Sequence, residues 1–107
     1  MKLKESRYPV VTLCGSTKFK DKFLEVKKTL TLNGYIVLMP DIFSHADGIE
    51  VSKDLENRLF LMQLQKIAMS DYVHVINVDK YIGDSTRKEI IYAANHGKEI
   101  SFLEEPL

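Results

Sequence analysis

Apolar residues fall in four short runs, and between the runs the chain changes to a helical rhythm. Tyr8–Cys14 is apolar and β-branched and stops at Gly15, the pattern of a strand buried on both faces. From Thr17 onward, Phe19, Phe23, Val26 and Leu30 recur at spacings of three and four with lysines between them. That spacing predicts an amphipathic helix, closed at Asn33-Gly34. Tyr35–Met39 is a second strand, ended by Pro40. Residues 40–53 are irregular, and so long a loop in so small a chain is more often functional than filler. A helix is then predicted from about Asp54 to Met69, with Leu55, Leu59, Met62 and Ile67 on its core face and Phe60 and Leu64 widening it. Tyr72–Val78 is the third strand. The turn Asp79–Asp84 leads to a helix from about Thr86 to Asn95, ended by His96-Gly97, and Glu99–Leu103 is the last strand.

The order is βα-βα-βα-β. Continuous apolar strands alternating with helices predict a parallel sheet covered on both faces. Right-handed crossovers then give a flavodoxin-like, half-Rossmann α/β sandwich of three layers with four to five strands. The length of 107 residues predicts one domain, residues 1–107. In such sheets ligands bind beyond the carboxyl ends of the strands, near the switch in strand order. The loops 14–18, 40–53 and 79–86 lie there.

Charge narrows the partners. Fifteen basic residues balance fifteen acidic ones, so no nucleic-acid partner is expected, since duplex binding usually needs a basic excess. Cys14 is the single cysteine, which excludes an internal disulfide and a thiolate-rich zinc site and fits a reducing cytoplasm. Met1–Arg7 lacks an apolar core, so no signal peptide is expected. No apolar run approaches the roughly 20 residues of a membrane span, so no membrane partner is expected. The three histidines, His45, His74 and His96, have no shared metal-site spacing.

Two segments carry candidate chemistry. In Cys14-Gly15-Ser16-Thr17-Lys18 a strand turns into a helix. Free backbone N–H groups and the helix dipole there favour an anion, Gly15 allows close approach, and Ser16 and Thr17 add donors. The alternative is a plain N-cap with solvated lysines. The second segment is Gly83-Asp84-Ser85-Thr86-Arg87-Lys88-Glu89. Thr86-x-x-Glu89 fits a capping box, in which the glutamate bonds the Thr86 amide. The alternative is a carboxylate turned into the cleft, where it acts as base or nucleophile. His45 and Asp47 sit in the long loop, as cover for a ligand or as polar surface.

Together the two segments resemble the nucleoside 2-deoxyribosyltransferase superfamily, which includes the 2′-deoxynucleoside 5′-phosphate N-hydrolases. The opening strand ending in Cys14-Gly15-Ser16 looks like its first loop, and Ser70–Ile76 followed by Tyr81–Ile90 looks like its second block. The resemblance spans about residues 8–103. It implies that Glu89 attacks the anomeric carbon, that Ser16 and Lys18 contact the nucleotide and its 5′-phosphate, and that Ser85 adds a phosphate donor; Cys14, Gly15, Thr17 and Gly83 join these as candidate substrate-binding residues. It implies no metal or redox cofactor, a small-molecule partner and a homodimer or larger oligomer. A family aspartate that helps the base depart falls on Gln63, which has no proton to give, and a first-strand tyrosine falls on Thr12. Asp41 or Asp47 of the long loop is the candidate replacement acid.

Overall fold

The β-branched run at the start of the chain becomes the inner strand of a four-stranded parallel sheet. A computed structural model describes residues 7–42 and 50–106. The elements in chain order are β1 (Val10–Gly15), α1 (Lys20–Leu32), β2 (Ile36–Leu38), α2 (Lys53–Met69), β3 (Tyr72–Ile76), α3 (Asp84–Asn95) and β4 (Glu99–Phe102). The strand order is β2-β1-β3-β4. β1 pairs with β2 on one side, Val11 opposite Val37, and with β3 on the other, Gly15 opposite Ile76. The direction of winding reverses between β1 and β3, so this is the flavodoxin-like fold expected, with its crevice at the ends of these two strands.

Alternation along β1 divides the core in two. Val11 and Leu13 face α1 and meet Phe23, Val26 and Leu30, together with Ile76 of β3. Cys14 faces the other way with Val73 and Val75, against Ile67 of α2 and Ala93 of α3. The three layers are therefore α1, the sheet, and the α2–α3 pair. Thr12, on the α2 side, is fully buried and donates its hydroxyl to the Lys66 carbonyl at 3.0 Å. That bond satisfies a buried polar group and joins β1 to the last turn of α2.

Several boundaries differ from expectation for identifiable reasons. β2 is three residues long, without Tyr35 and Met39. β3 stops at Ile76, because Asn77 leaves the strand and Val78–Lys80 curls into a short 3-10 turn. α3 begins two residues before Thr86, at Asp84, with Gly83 as its N-cap. The core face of α2 follows expectation at Leu55, Leu59, Phe60, Leu64 and Ile67 and departs from it at one position. Met62 is exposed, and the buried positions are Gln63 and Ile67. The inward stripe is thus Leu59/Phe60, Gln63 and Ile67, with a polar residue at its centre.

Candidate functional site

Gly15 sets the closest approach in the crevice. Its φ is +152°, and a Cβ there would lie 2.7 Å from the Ile76 carbonyl oxygen. Only glycine lets the end of β1 lie against the end of β3 in this way. The chain then turns at Ser16, whose hydroxyl accepts from the Lys18 amide at 3.3 Å. A 3-10 turn over Thr17–Phe19 separates Ser16 from α1, so the loop does not feed directly into the α-helix as the sequence predicts.

Beyond Gly15 opens a cleft of about 590 Å³. One wall is the first loop, Gly15, Ser16 and Thr17, and the opposite wall is Tyr81 with the start of α3, Gly83 to Thr86. Glu56, Leu59, Phe60 and Gln63 of α2 close a third side, with Pro40 and Asp41 at the end of β2. Six of the nine expected site residues therefore line one cavity: Gly15, Ser16, Thr17, Gly83, Ser85 and Glu89. Cys14 is fully buried beneath it. Lys18 does not line it; its ammonium lies 3.7 Å from the centroid of the Tyr81 ring, a cation–π contact at the rim. Asp47, like His45, lies outside the described residues.

Glu89 does not cap its helix. With Gly83 as N-cap, Glu89 is the sixth helical residue, a full turn too far in to reach the first amides. Thr86, Glu89 and Ala93 instead form the buried face of α3, and Glu89 is 7% exposed. Its Oε1 has no hydrogen-bond partner among the described residues. Burial raises its pKa from the ordinary 4.5 to about 7, and a hydrogen bond from the Cys14 thiol partly opposes this. Burial, and then the Glu89 charge, push the Cys14 thiol well above its usual range, so it remains a neutral donor.

Gln63 completes the floor. Its Nε2 donates to the Leu13 carbonyl at 3.0 Å and reaches Cys14 Sγ at 3.6 Å. Its Oε1, like that of Glu89, is buried with no partner among the described residues. A buried polar atom left unpaired costs about 1–3 kcal/mol, so two in one cleft are positions that a ligand or ordered water would satisfy.

Other titratable groups have structural partners. His74 Nδ1 lies 2.7 Å from Ser101 Oγ, and His96 stacks on Tyr92. Asp71 accepts from the Val10 amide at 2.9 Å and so orders the entry to β1. Lys66 donates to the Met39 carbonyl at 2.7 Å and lies 3.8 Å from Asp41. Among the described residues no three His, Cys, Asp or Glu side chains converge as a metal site, and no helix is long and apolar enough to cross a membrane.

The sequence reading missed Glu56, Phe60, Tyr81 and Thr86 as lining residues. The signal for the first two was the inward stripe of α2, which becomes visible once Gln63, and not Met62, is placed at its centre.

No protein-family model and no curated protein matches the chain. Among solved structures it is similar to 2-desoxiribosyltransferase from Leishmania mexicana, with a TM-score of 0.65 and 17% identity. The match covers 88% of this chain and 63% of that one. Identity this low carries the fold alone, and the chain spans less than two thirds of that enzyme's length.

Proposed function

We propose that the chain binds a nucleoside in this cleft and breaks or exchanges its N-glycosidic bond, with Glu89 as the nucleophile. The observation that carries the reading is Glu89 itself, a carboxylate buried at the crevice with a free oxygen and no capping duty. A buried carboxylate held off water, beside a hydroxyl-rich loop and an uncapped helix start, suits attack on an anomeric carbon with sugar hydroxyls held nearby. Ser16, Thr17 and the first residues of α3 are the candidate sugar contacts. Phe60 and Tyr81 are the aromatic surfaces available to a base. Water as acceptor gives a hydrolase, and a second base gives a transferase. The name of the structurally similar Leishmania enzyme agrees with this class of chemistry.

One observation favours a binding-only reading. Gln63 occupies the inward position of α2 and has no proton to transfer to a departing base. The test is a screen of ribo- and deoxyribonucleosides and their 5′-monophosphates for released free base, with Glu89→Ala as control. Base release that vanishes in Glu89→Ala supports the enzyme. Saturable nucleoside binding with no release from any candidate supports the binding protein. A homodimer or larger oligomer belongs to the same proposal, and equilibrium sedimentation tests it.

A further inference from the structure

The free atoms in the floor of the cleft are two oxygens, and both accept once Glu89 is ionised. The Leu13 carbonyl can only accept, so the Gln63 nitrogen faces it at 3.0 Å and the amide oxygen is the atom left over. Gln63 is 3% exposed and Glu89 7%, so these are built, buried oxygens and not rim groups. The groups bonded to them bring no positive charge, because Cys14 is a neutral thiol and Gln63 a neutral amide.

The walls supply no cation either. Among the described residues no lysine, arginine or histidine lines the cleft, while Asp41, Glu56 and Asp84 do. The intervening residues 43–49 contain no lysine or arginine, and one histidine, His45. Lys66, Lys53 and Arg87 lie 3.8, 3.8 and 3.1 Å from those three carboxylates and stand outside the lining. They offset rim charge, and among the described residues no side-chain cation lines the cleft as a counter-ion to Glu89. The positive end of α3 opens on the cleft, yet its first residue is Asp84, which opposes it. Among the described residues a phosphate inside the cleft would meet no lining cation, and Lys18 at the rim is held on the Tyr81 ring.

From this lining we infer that the cleft takes a nucleoside whose base already carries a fixed positive charge, an N-ribosyl pyridinium or an N7-alkylated purine nucleoside. The inference rests on the N-glycosidic reading above and narrows its substrate class. A neutral base leaves as an anion unless a donor protonates it, and Gln63 is no donor. A cationic base needs none. One Glu89 oxygen bonds to the anomeric carbon as the carbon–nitrogen bond breaks, and that electron pair returns to the ring nitrogen and cancels its charge. Water then attacks the anomeric carbon of the ester, the carbon–oxygen bond returns its pair to Glu89, and one proton passes to solvent. The net reaction is cationic nucleoside plus water to neutral base, free sugar and one proton. Before reaction, the same positive charge supplies a counter-ion to Glu89, in surroundings where burial strengthens the attraction.

The test uses the full chain with N7-methylguanosine against guanosine, nicotinamide riboside, and the corresponding 5′-monophosphates. Expected is a kcat/KM for the cationic purine nucleoside at least about 100-fold above its neutral parent, with one proton released per turnover. Cationic nucleosides are intrinsically more labile, so binding is measured separately with ligands that cannot react. The pyridinium N1-methylnicotinamide is expected to bind at least about tenfold more tightly than neutral nicotinamide, with the preference lost in Glu89→Gln. A neutral parent or a 5′-monophosphate cleaved as well as the cationic nucleoside overturns the substrate class and leaves the N-glycosidic reading standing. So does a cation that binds no more tightly than nicotinamide, absence of binding included. No free base from any compound overturns both.

Discussion

The Gln63 amide donates to the main-chain carbonyl of Leu13 at 3.0 Å, across 50 residues of sequence, and fixes the middle of α2 to the end of β1. The same bond uses the hydrogen that a catalytic acid would need. Gln63→Leu leaves the buried Leu13 carbonyl unpaired and is expected to lower stability by about 1–3 kcal/mol, read from the urea midpoint. Gln63→Glu keeps the length and must be protonated to bond Leu13. That proton is then held by the Leu13 carbonyl, as the amide hydrogen is in the wild type, so release of base from neutral nucleosides is expected to stay within about threefold of the wild-type rate. Chromatography of free base checks this, and a rise of about tenfold or more would show that the proton leaves Leu13 for the departing base.

Glu89 makes folding depend on pH. Its value is about 7 when folded against an ordinary 4.5, the shift coming from burial. The folded chain therefore holds this proton more tightly than the unfolded chain. The stabilisation is fully present below pH 4.5 and is lost as pH rises through about 7. The loss is at most about 3 kcal/mol by linkage. Urea unfolding from pH 4.5 to 8 should show the decline in wild type and its absence in Glu89→Gln. On the proposed mechanism the same ionisation governs attack, so kcat/KM for base release is expected to rise with pH and level off above about 7.

The Gly15 position is a packing requirement. Gly15→Ala places a methyl 2.7 Å from a main-chain oxygen of β3 at a φ of +152°. The two strand ends must separate, and backbone that cannot relax has no rotamer to move. A loss of about 2 kcal/mol or more is expected, together with weaker ligand binding, because the switch-point crevice is what widens. Thermal unfolding and a binding isotherm on the same sample check both parts.

The fold was legible because its signals are local and repeated. Tyr8–Cys14 and Tyr72–Ile76 are apolar, β-branched runs broken only by Thr12 and His74, and Phe19, Phe23, Val26 and Leu30 keep a three-to-four spacing. The first loop was legible for the same reason, as a glycine between a strand and a helical pattern. The role of Glu89 was not. Thr86-x-x-Glu89 has the spacing of a capping box, and only the actual start of α3 at Asp84 moves Glu89 beyond capping reach. The face of α2 was misread at one position because Met62 outranks Gln63 on any hydrophobicity scale, whereas the carbonyl of Leu13 selects an amide there. Lys18 stood at a plausible anion site in the sequence, and the Tyr81 ring, 63 positions later, holds it at the rim. The last two misses are long-range contacts overruling a local pattern.

Asn77 is the support of the wall opposite the first loop. It is fully buried, its Nδ2 donates to the Glu104 carbonyl at 2.8 Å, and its Oδ1 accepts from the Glu104 amide at 2.9 Å. The Glu104 carboxylate in turn accepts from the Asp79 amide at 2.9 Å. These bonds hold a turn in which Asp79 and Lys80 adopt φ of 55° and 65°, a region non-glycine residues seldom occupy. That turn delivers Tyr81 and Gly83 to the cleft. Asn77→Ala removes both side-chain bonds and frees the strained turn to relax. Stability is expected to fall by about 2–3 kcal/mol. Ligand affinity should fall with it, while the chemical step at Glu89, on the far side of α3's first turn, is expected to change little. Steady-state kinetics should thus show a raised KM with kcat nearly unchanged, and Asn77→Asp, which sets an oxygen against the Glu104 carbonyl, should lose at least as much stability as Asn77→Ala. Equal losses in kcat and kcat/KM would instead place Tyr81 or Gly83 at the reacting atoms.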